Sequence, residues 1–339
     1  MISVSGRKWN EKKVNKRLVE KVQQQYNLSN IVAQLVVTRN FDKNEIYLIK
    51  DNLKLANIFQ NNTDFIKAVK LVEKSIKNRE NICILGDYDV DGSVATSLFA
   101  IFLKSLDYPF FYYIPDRIKD GYGASKKLFE KLILKNPKLV IMLDCGSTSI
   151  DAIDFLNRKK ISSLIIDHHE INKPYPKANI IINPKKDNGY LEYDYLCAAS
   201  LTYFFIEMLS KKVECKINLK KYLIYVLLAT VCDVMPLRKL NRLISIIALK
   251  EFKIIDNQVF SKLYELTNKK NKININDLGY FIGPILNSGG RLGKSNLASE
   301  LLSTNRENVI NKNSLELINL NNKRKKIETL ILDDIDFNK

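Results

Sequence analysis

The sequence predicts an α/β protein with a mainly parallel β-sheet and helices on both of its faces. Two observations lead to this prediction. Between residues 81 and 190, short runs that are apolar at every position alternate with stretches of helical periodicity. Strands that are apolar throughout are buried on both faces, which is typical of parallel sheets enclosed by helices. After residue 190 the pattern is helical, so we expect a helical subregion and then a long C-terminal helix.

Five strands and eight helices are predicted for this part of the chain. The predicted strands are Ile82–Gly86, Phe110–Ile114, Leu139–Leu143, Ser163–Ile166 and Ala178–Ile182. The helices predicted between the strands are Ser93–Leu106, Ser125–Leu134 and Ser149–Asn157. The later helices are predicted near residues 197–210, 219–231, 240–252, 259–268 and 296–303.

Four segments follow from this pattern. We expect a mostly helical segment at 1–80, an α/β core at 81–190, a helical part at 191–305, and a connecting helix at 306–339. The last segment is highly charged and has only a narrow apolar stripe, which is typical of a helix that joins domains. We therefore expect it to lead to a C-terminal domain that this chain does not contain.

Composition limits the class of protein. The longest apolar stretches are about half of the roughly 20 residues that a membrane helix needs, and no export segment is visible, so we expect no membrane association. Five cysteines without a C-x-x-C pair favour a reducing cytoplasm over a disulfide-rich secreted protein. A net charge of +17 would attract nucleic acid, although a chain this rich in Lys, Asn and Ile could be basic without any ligand.

An unusual acidic motif follows the first predicted strand. Asp87, Asp89 and Asp91 lie at alternate positions between Gly86 and Gly92. Three neighbouring carboxylates repel one another unless a cation neutralises them. The alternative is an acidic loop or a helix N-cap, but one cap needs only one aspartate.

Other chemical groups follow later apolar runs. Asp144 follows a strand, Asp167-His168-His169 follows another and contains the only two histidines, and Asp233 ends an apolar helix. Taken singly, each aspartate could cap a helix and the histidine pair could be structural. Taken together, five carboxylates and one or two imidazoles could hold two divalent ions, with Mn²⁺ preferred and Mg²⁺ the alternative. Two such ions suit phosphoester hydrolysis.

The ordered set of motifs resembles the DHH phosphoesterase superfamily and, within it, the RecJ family of single-strand-specific DNA exonucleases. The residues that carry the resemblance are Asp87–Gly92, Asp144, Asp167-His168-His169, Thr230–Leu237 and the glycine-rich segment Gly283–Gly293. Ile285 departs from the family, whose members usually have arginine at this position.

The resemblance implies roles for individual residues. The metal ligands would be Asp87, Asp89, Asp91, Asp144, His168 and Asp233. His169 would face the phosphate or the attacking water, and Asp167 would orient an imidazole. Arg291 would contact a substrate phosphate, with support from Asn287 and from the backbone amides of Gly289 and Gly290 in a glycine-rich loop.

The resemblance also implies a biological setting. We expect 5′-to-3′ hydrolysis of single-stranded DNA in DNA repair and recombination, with a single-strand-binding protein or a helicase as further partners. One alternative is a phosphodiesterase for short oligonucleotides or cyclic dinucleotides. Another is a non-catalytic DNA-binding remnant. We expect metal binding to survive without the absent C-terminal domain, whereas processive activity would not.

Overall fold

The computed structural model describes residues 3–4, 6–8, 10, 12–49, 54–116, 119–121, 123–187 and 190–334. The chain divides into two compact units: Met1–Leu55 with Arg238–Leu243, and Ala56–Leu237 with Ile244–Lys339. This division falls at Leu55, so residues 56–80 belong with the sheet-containing unit rather than with the preceding helices. Among the described residues, no helix combines the length and the hydropathy needed to cross a membrane.

Residues 12–49 of the smaller unit, which the structure describes, form three short helices: α1 (Lys16–Tyr26), α2 (Asn30–Thr38) and α3 (Lys43–Tyr47). Each begins at a polar N-cap whose side chain accepts a backbone N–H: Asn15, Ser29 and Asp42, respectively. Within this unit the buried Glu45 carboxylate accepts a hydrogen bond of 2.7 Å from Arg238 Nε. This bond lowers the pKa of Glu45 below its usual value.

The larger unit is organised around one five-stranded sheet. Its first elements, in chain order, are α4 (Thr63–Lys77), β1 (Ile82–Gly86), α5 (Val90–Ser105), β2 (Phe110–Tyr113), α6 (Lys126–Leu132), β3 (Leu139–Leu143), α7 (Ile150–Arg158), β4 (Ser162–Ile166) and β5 (Ile180–Ile182). The strand order is β2-β1-β3-β4-β5, and every pair is parallel. All residues of β1 and β3 are buried. The predicted fold class is therefore confirmed.

Helices cover both faces of the sheet. On one face, alternate strand residues such as Cys83, Val140 and Ile165 form an apolar cluster with side chains of α6 and α7. On the other face lies α5, which is buried along most of its length. Gly86 allows α5 to approach closely, because a Cβ atom at this position would collide with the side chain of Thr96.

The strand register aligns the carboxyl ends of four strands. Gly86 of β1 pairs with Leu143 of β3, Leu143 pairs with Ile166 of β4, and Ile166 pairs with Ile182 of β5. The next residue of each strand therefore leaves the sheet beside its neighbours. Those residues are Asp87, Asp144, Asp167 and Asn183.

The rest of the larger unit is helical, as predicted. It comprises α8 (Ala198–Lys212), α9 (Leu223–Cys232), α10 (Lys239–Glu251, which starts in the smaller unit), α11 (Gln258–Leu266), α12 (Ile275–Asp277), α13 (Gly283–Arg291), α14 (Leu297–Leu302) and α15 (Glu307–Asp334). A π-helical turn, Leu278–Ile282, joins α12 to α13.

The predicted glycine-rich loop is wrong, because this segment forms α13. Its glycines serve close packing rather than a turn. A Cβ atom at Gly290 would lie 2.7 Å from the Tyr88 carbonyl oxygen, and one at Gly283 would collide with Cys232. Glycine at these positions costs helix propensity but lets α13 approach the loop after β1 and the end of α9.

Candidate metal centre

Residues from five elements meet at the carboxyl edge of the sheet. Possible metal ligands form three triads of residues. Each residue of a triad offers one ligand atom, and the three atoms lie within 4.8 Å of one another. The triads are Asp87–Asp89–Asp144, Asp91–His168–Asp233 and Asp144–His168–His169. All six residues predicted as metal ligands are therefore brought together, and Asp144 and His168 each belong to two triads.

Asp89 and Asp91 lie at the start of α5, and their side chains also stabilise helix N-termini. The Asp89 side chain is the N-cap of α5 and accepts a bond of 3.0 Å from the backbone N–H of Gly92. The Asp91 carboxylate accepts backbone N–H bonds of 2.7 and 2.8 Å from Ala198 and Ala199 at the start of α8. Helix capping therefore accounts for part of the acidic motif. It does not account for Asp87, whose Oδ1 is buried without a hydrogen-bond partner among the described residues.

Asp144 leaves β3 in an uncommon conformation. Its φ angle is +61°, in the left-handed region, which asparagine and aspartate tolerate better than most residues. The residue is buried, and within the described chain its Oδ1 accepts no hydrogen bond. A strained backbone that presents an unsatisfied carboxylate oxygen is typical of a functional site.

His168 lies among three carboxylates. Its Nε2 is 3.4 Å from Asp144 Oδ1, 3.4 Å from Asp233 Oδ2 and 3.6 Å from Asp91 Oδ2. Burial lowers the pKa of His168, which favours the neutral imidazole that binds metals. Asp233 reaches this position as the C-cap of α9, where its backbone N–H donates to Ala229.

Asp167, by contrast, is fully bonded by the protein. Its carboxylate accepts the backbone N–H groups of His168 (2.8 Å), His169 (3.2 Å) and Ser147 (3.1 Å). It also bonds Nδ1 of His169 at 2.8 Å. Burial alone would raise the pKa of Asp167, but the His169 bond and the other donors hold it well below its usual value. The same bond raises the pKa of His169 to about 9.

Burial and mutual repulsion raise the pKa values of three other carboxylates of the centre. Burial, followed by the charge of Asp89, raises the pKa of Asp87 to about 7. Burial, followed by the charge of Asp91, raises the pKa of Asp233 to about 7 and that of Asp144 well above its usual value. Such a set is stable as carboxylates only when positive charge is supplied.

Sequence reasoning missed Asn183. This side chain follows β5 and is fully buried. Its Nδ2 donates bonds of 2.9 Å to Ser147 Oγ and to the backbone oxygen of His169, and its Oδ1 accepts the N–H of Lys185. The signal was present, because a polar residue directly follows the apolar run Ile180–Ile182, as Asp87 and Asp144 follow theirs.

The predicted phosphate contacts divide into two groups. Asn287 and Arg291 line a pocket of about 150 Å³ together with Cys232, the neighbour of Asp233, and with Arg324, which sequence reasoning missed. Gly289 and Gly290 are buried inside α13, where backbone amides donate to carbonyl groups of the preceding turn. The expectation that their amides face a phosphate from a loop is therefore wrong.

Three comparisons with known proteins agree with this geometry. Residues 81–230 match the family described as DHH family, N-terminal domain. The RecJ exonuclease of Haemophilus influenzae is 30% identical over 273 residues, which cover 77% of this chain and 48% of that protein. The RecJ exonuclease of Bacillus subtilis is 25% identical over 333 residues, which cover 97% of this chain and 42% of that protein.

A solved structure shows the same fold. A crystal structure of RecJ from Thermus thermophilus in complex with Mn²⁺ matches with a TM-score of 0.79 and 21% identity, covering 95% of this chain and 46% of that one. The chain thus spans about half the length of the curated relatives it matches. The family match, the relatives and the common fold together show that residues 81–230 form a DHH family N-terminal domain and that the chain is similar to RecJ exonucleases over most of its length.

Proposed function

We propose that this chain is the catalytic core of a metal-dependent phosphodiesterase that degrades single-stranded DNA. The main support for the proposal is that the triads share residues: Asp144 belongs to one triad with Asp87 and Asp89 and to another with His168. Connected triads of this kind suit two neighbouring divalent ions, which catalyse in-line displacement at phosphorus.

The residues fit such ions on structural grounds. Asp87 Oδ1, Asp144 Oδ1 and His168 Nε2 are buried without hydrogen-bond partners in the described chain. The separations of 3.4–3.6 Å around His168 Nε2 are long for hydrogen bonds. Two ligands of one octahedral ion are about 3 Å apart, so a small shift would let these atoms bind the same cation.

We assign Asp87, Asp89 and Asp144 to one ion and Asp91, His168 and Asp233 to the other. Carboxylates with one imidazole favour Mn²⁺, with Mg²⁺ as the alternative. When bound, the ions lower the pKa of water and stabilise negative charge on the phosphate.

The protein's own residues would position the substrate. Asp167 holds Nδ1 of His169, which fixes the orientation of the ring and directs Nε2 away from Asp167. The His169 side chain is 43% exposed, so it can meet a phosphate or a water molecule. We propose that Arg291 and Asn287 contact a further phosphate from their pocket beside Cys232.

The substrate and partners are proposed from the relatives, which are named as single-stranded-DNA-specific exonucleases. The net charge of +17 agrees with a polyanionic substrate. By this analogy we propose 5′-to-3′ hydrolysis in DNA repair and recombination, a cytoplasmic location, and contacts with a single-strand-binding protein or a helicase.

The test compares four substrates with purified protein and Mn²⁺: long single-stranded DNA labelled at the 5′ end, the same DNA labelled at the 3′ end, its duplex, and a dinucleotide. We expect release of 5′ label from the single strand, with the duplex resistant. Preference for the dinucleotide would show instead a phosphodiesterase of short oligonucleotides. Mn²⁺ binding without cleavage of any substrate would contradict the proposed function.

A further inference from the structure

We propose that Lys185 is a further phosphate-binding residue of this centre, and that Glu170 competes with the substrate phosphate for it. This inference rests on the proposed function and adds a residue that the motifs did not include. Lys185 lies just after β5, and Glu170 directly follows His169. The two side chains form an ion pair with Nζ and Oε1 2.8 Å apart.

The backbone of Lys185 is tied to the centre. Its N–H donates a bond of 2.9 Å to Asn183 Oδ1. The Nδ2 of Asn183 donates to the backbone oxygen of His169 at 2.9 Å and to Ser147 Oγ at 2.9 Å. Ser147 in turn donates its backbone N–H to Asp167. A buried network therefore connects the position of Lys185 to the loop that carries both histidines.

Lys185 places a positive charge at the rim of the centre, because Glu170, the partner of its ammonium group, directly follows His169. Five carboxylates and two divalent ions would leave little net charge to hold an anionic substrate. A lysine at the rim supplies a cation that can bind a non-bridging phosphate oxygen.

A substrate phosphate can replace Glu170 as the partner of Lys185, because the ion pair is weak. The Lys185 side chain is 26% exposed and that of Glu170 is 79% exposed. Exposed ion pairs contribute at most about 1 kcal/mol, so a phosphate that approaches the ions can displace Glu170. Glu170 would thus occupy Lys185 until the substrate arrives, which weakens binding slightly.

The experiment measures binding of thymidine 5′-monophosphate to the Mn²⁺-loaded protein by calorimetry. Lys185→Met should weaken binding about tenfold or more, and Lys185→Arg should restore most of it. Glu170→Gln should tighten binding about twofold to fivefold, the value of an exposed ion pair. Lys173→Met is the matched control, because Lys173 forms a similar surface pair with Asp187, and it should bind like the wild type.

The double variant with Glu170→Gln and Lys185→Met distinguishes a specific contact with Lys185 from a general effect of charge. If Glu170 acts through Lys185, Glu170→Gln should change nothing in the Lys185→Met background. Tighter binding in that background, or wild-type binding by Lys185→Met, overturns the proposal. An equal loss of thermal stability in Lys185→Met and Lys185→Arg would also overturn it, because the pair would then be structural. Nucleotide binding without DNA cleavage would refute the proposed function and leave the role of Lys185 standing.

Discussion

The aspartates that follow β3 and β4 occupy equivalent positions but differ in their hydrogen bonds. Asp144 and Asp167 each directly follow a strand, and each donates its backbone N–H to the carbonyl group that ends the next strand. Yet Asp167 accepts four hydrogen bonds, whereas Asp144 Oδ1 accepts none within the described chain. One carboxylate is satisfied by the protein, whereas one oxygen of the other is left without a donor among the described residues.

This difference also appears in the pKa values. Donors hold the pKa of Asp167 well below its usual range, and burial with neighbouring charges raises that of Asp144. Two equally buried aspartates that follow neighbouring strands can therefore have pKa values shifted in opposite directions. Burial alone does not distinguish them, whereas the hydrogen-bond donors around each carboxylate do.

The largest expected effect comes from Asp144→Asn. Cleavage of DNA with Mn²⁺ should fall by more than about a hundredfold, which exceeds the loss expected at a residue that only supports a ligand. The metal-free variant should melt a few degrees higher than the wild type, because a repelling carboxylate is removed. Asp107→Asn, at an exposed site that also has a positive φ, is the control and should change neither value.

Asp167→Asn should give the opposite sign of stability change. An amide offers one oxygen where the carboxylate offered two, so the free energy of unfolding should fall by about 1–3 kcal/mol. Activity should fall about 10- to 100-fold while Mn²⁺ still binds, because Asp167 orients His169. Denaturant unfolding and calorimetry measure the two effects. If Asp144→Asn and Asp167→Asn changed stability in the same direction, the contrast between the strand ends would be wrong.

The metal-free protein should lose stability as the pH rises from about 4 to about 7. Asp87 and Asp233 have pKa values of about 7 in the folded protein against an ordinary 3.8, so the folded state holds more protons across this range. Their stabilising contribution is complete below the unfolded value and is lost as the pH passes the folded value. The raised pKa of Asp144 acts in the same direction and the lowered pKa of His168 in the opposite one. Carboxylates with a lowered pKa, such as Glu45, also oppose the trend, but they change protonation mainly at the acidic end of this range.

Thermal melts at several pH values test this slope. Asp87→Asn should flatten it, and saturating Mn²⁺ at pH 8 should restore stability by neutralising the carboxylates. A metal-free wild type that becomes steadily more stable from pH 4 to 7 would contradict the raised pKa values.

A smaller effect tests whether α13 supports the loop after β1. Gly290→Ala should cost about 1–3 kcal/mol of stability, because its Cβ atom would lie 2.7 Å from the backbone oxygen of Tyr88. Gly279→Ala is the matched control, since its nearest neighbour is a methyl group of Val231 at 3.0 Å. Chemical denaturation should show a clearly larger loss for Gly290→Ala; equal losses would mean that the close approach is not required.

Much of the site could be predicted from the sequence, because the end of each strand is marked by the point where an apolar run stops. The predicted limits of Ile82–Gly86 and Leu139–Leu143 match β1 and β3, so Asp87 and Asp144 were placed correctly beside each other. The helix α13 could not be predicted, since its glycines are required by contacts with Tyr88 and Cys232, which lie far away in the sequence.

The local sequence pattern likewise does not predict the different environments of Asp144 and Asp167. Both are an aspartate after an apolar run; His169 is a sequence neighbour of Asp167, but only the fold brings Ser147 to it. Asn183 has the same local signal, a polar residue after an apolar run, but its partners Ser147 and His169 come from two other loops.

A Mn²⁺ titration followed by calorimetry shows whether Asp144 connects two metal sites. The wild type should bind two Mn²⁺ ions per chain, Asp167→Asn should still bind two, and Asp144→Asn should lose at least one. A wild type that binds no Mn²⁺, or an Asp144→Asn variant that binds two ions with unchanged affinity, would mean that Asp144 does not connect two metal sites.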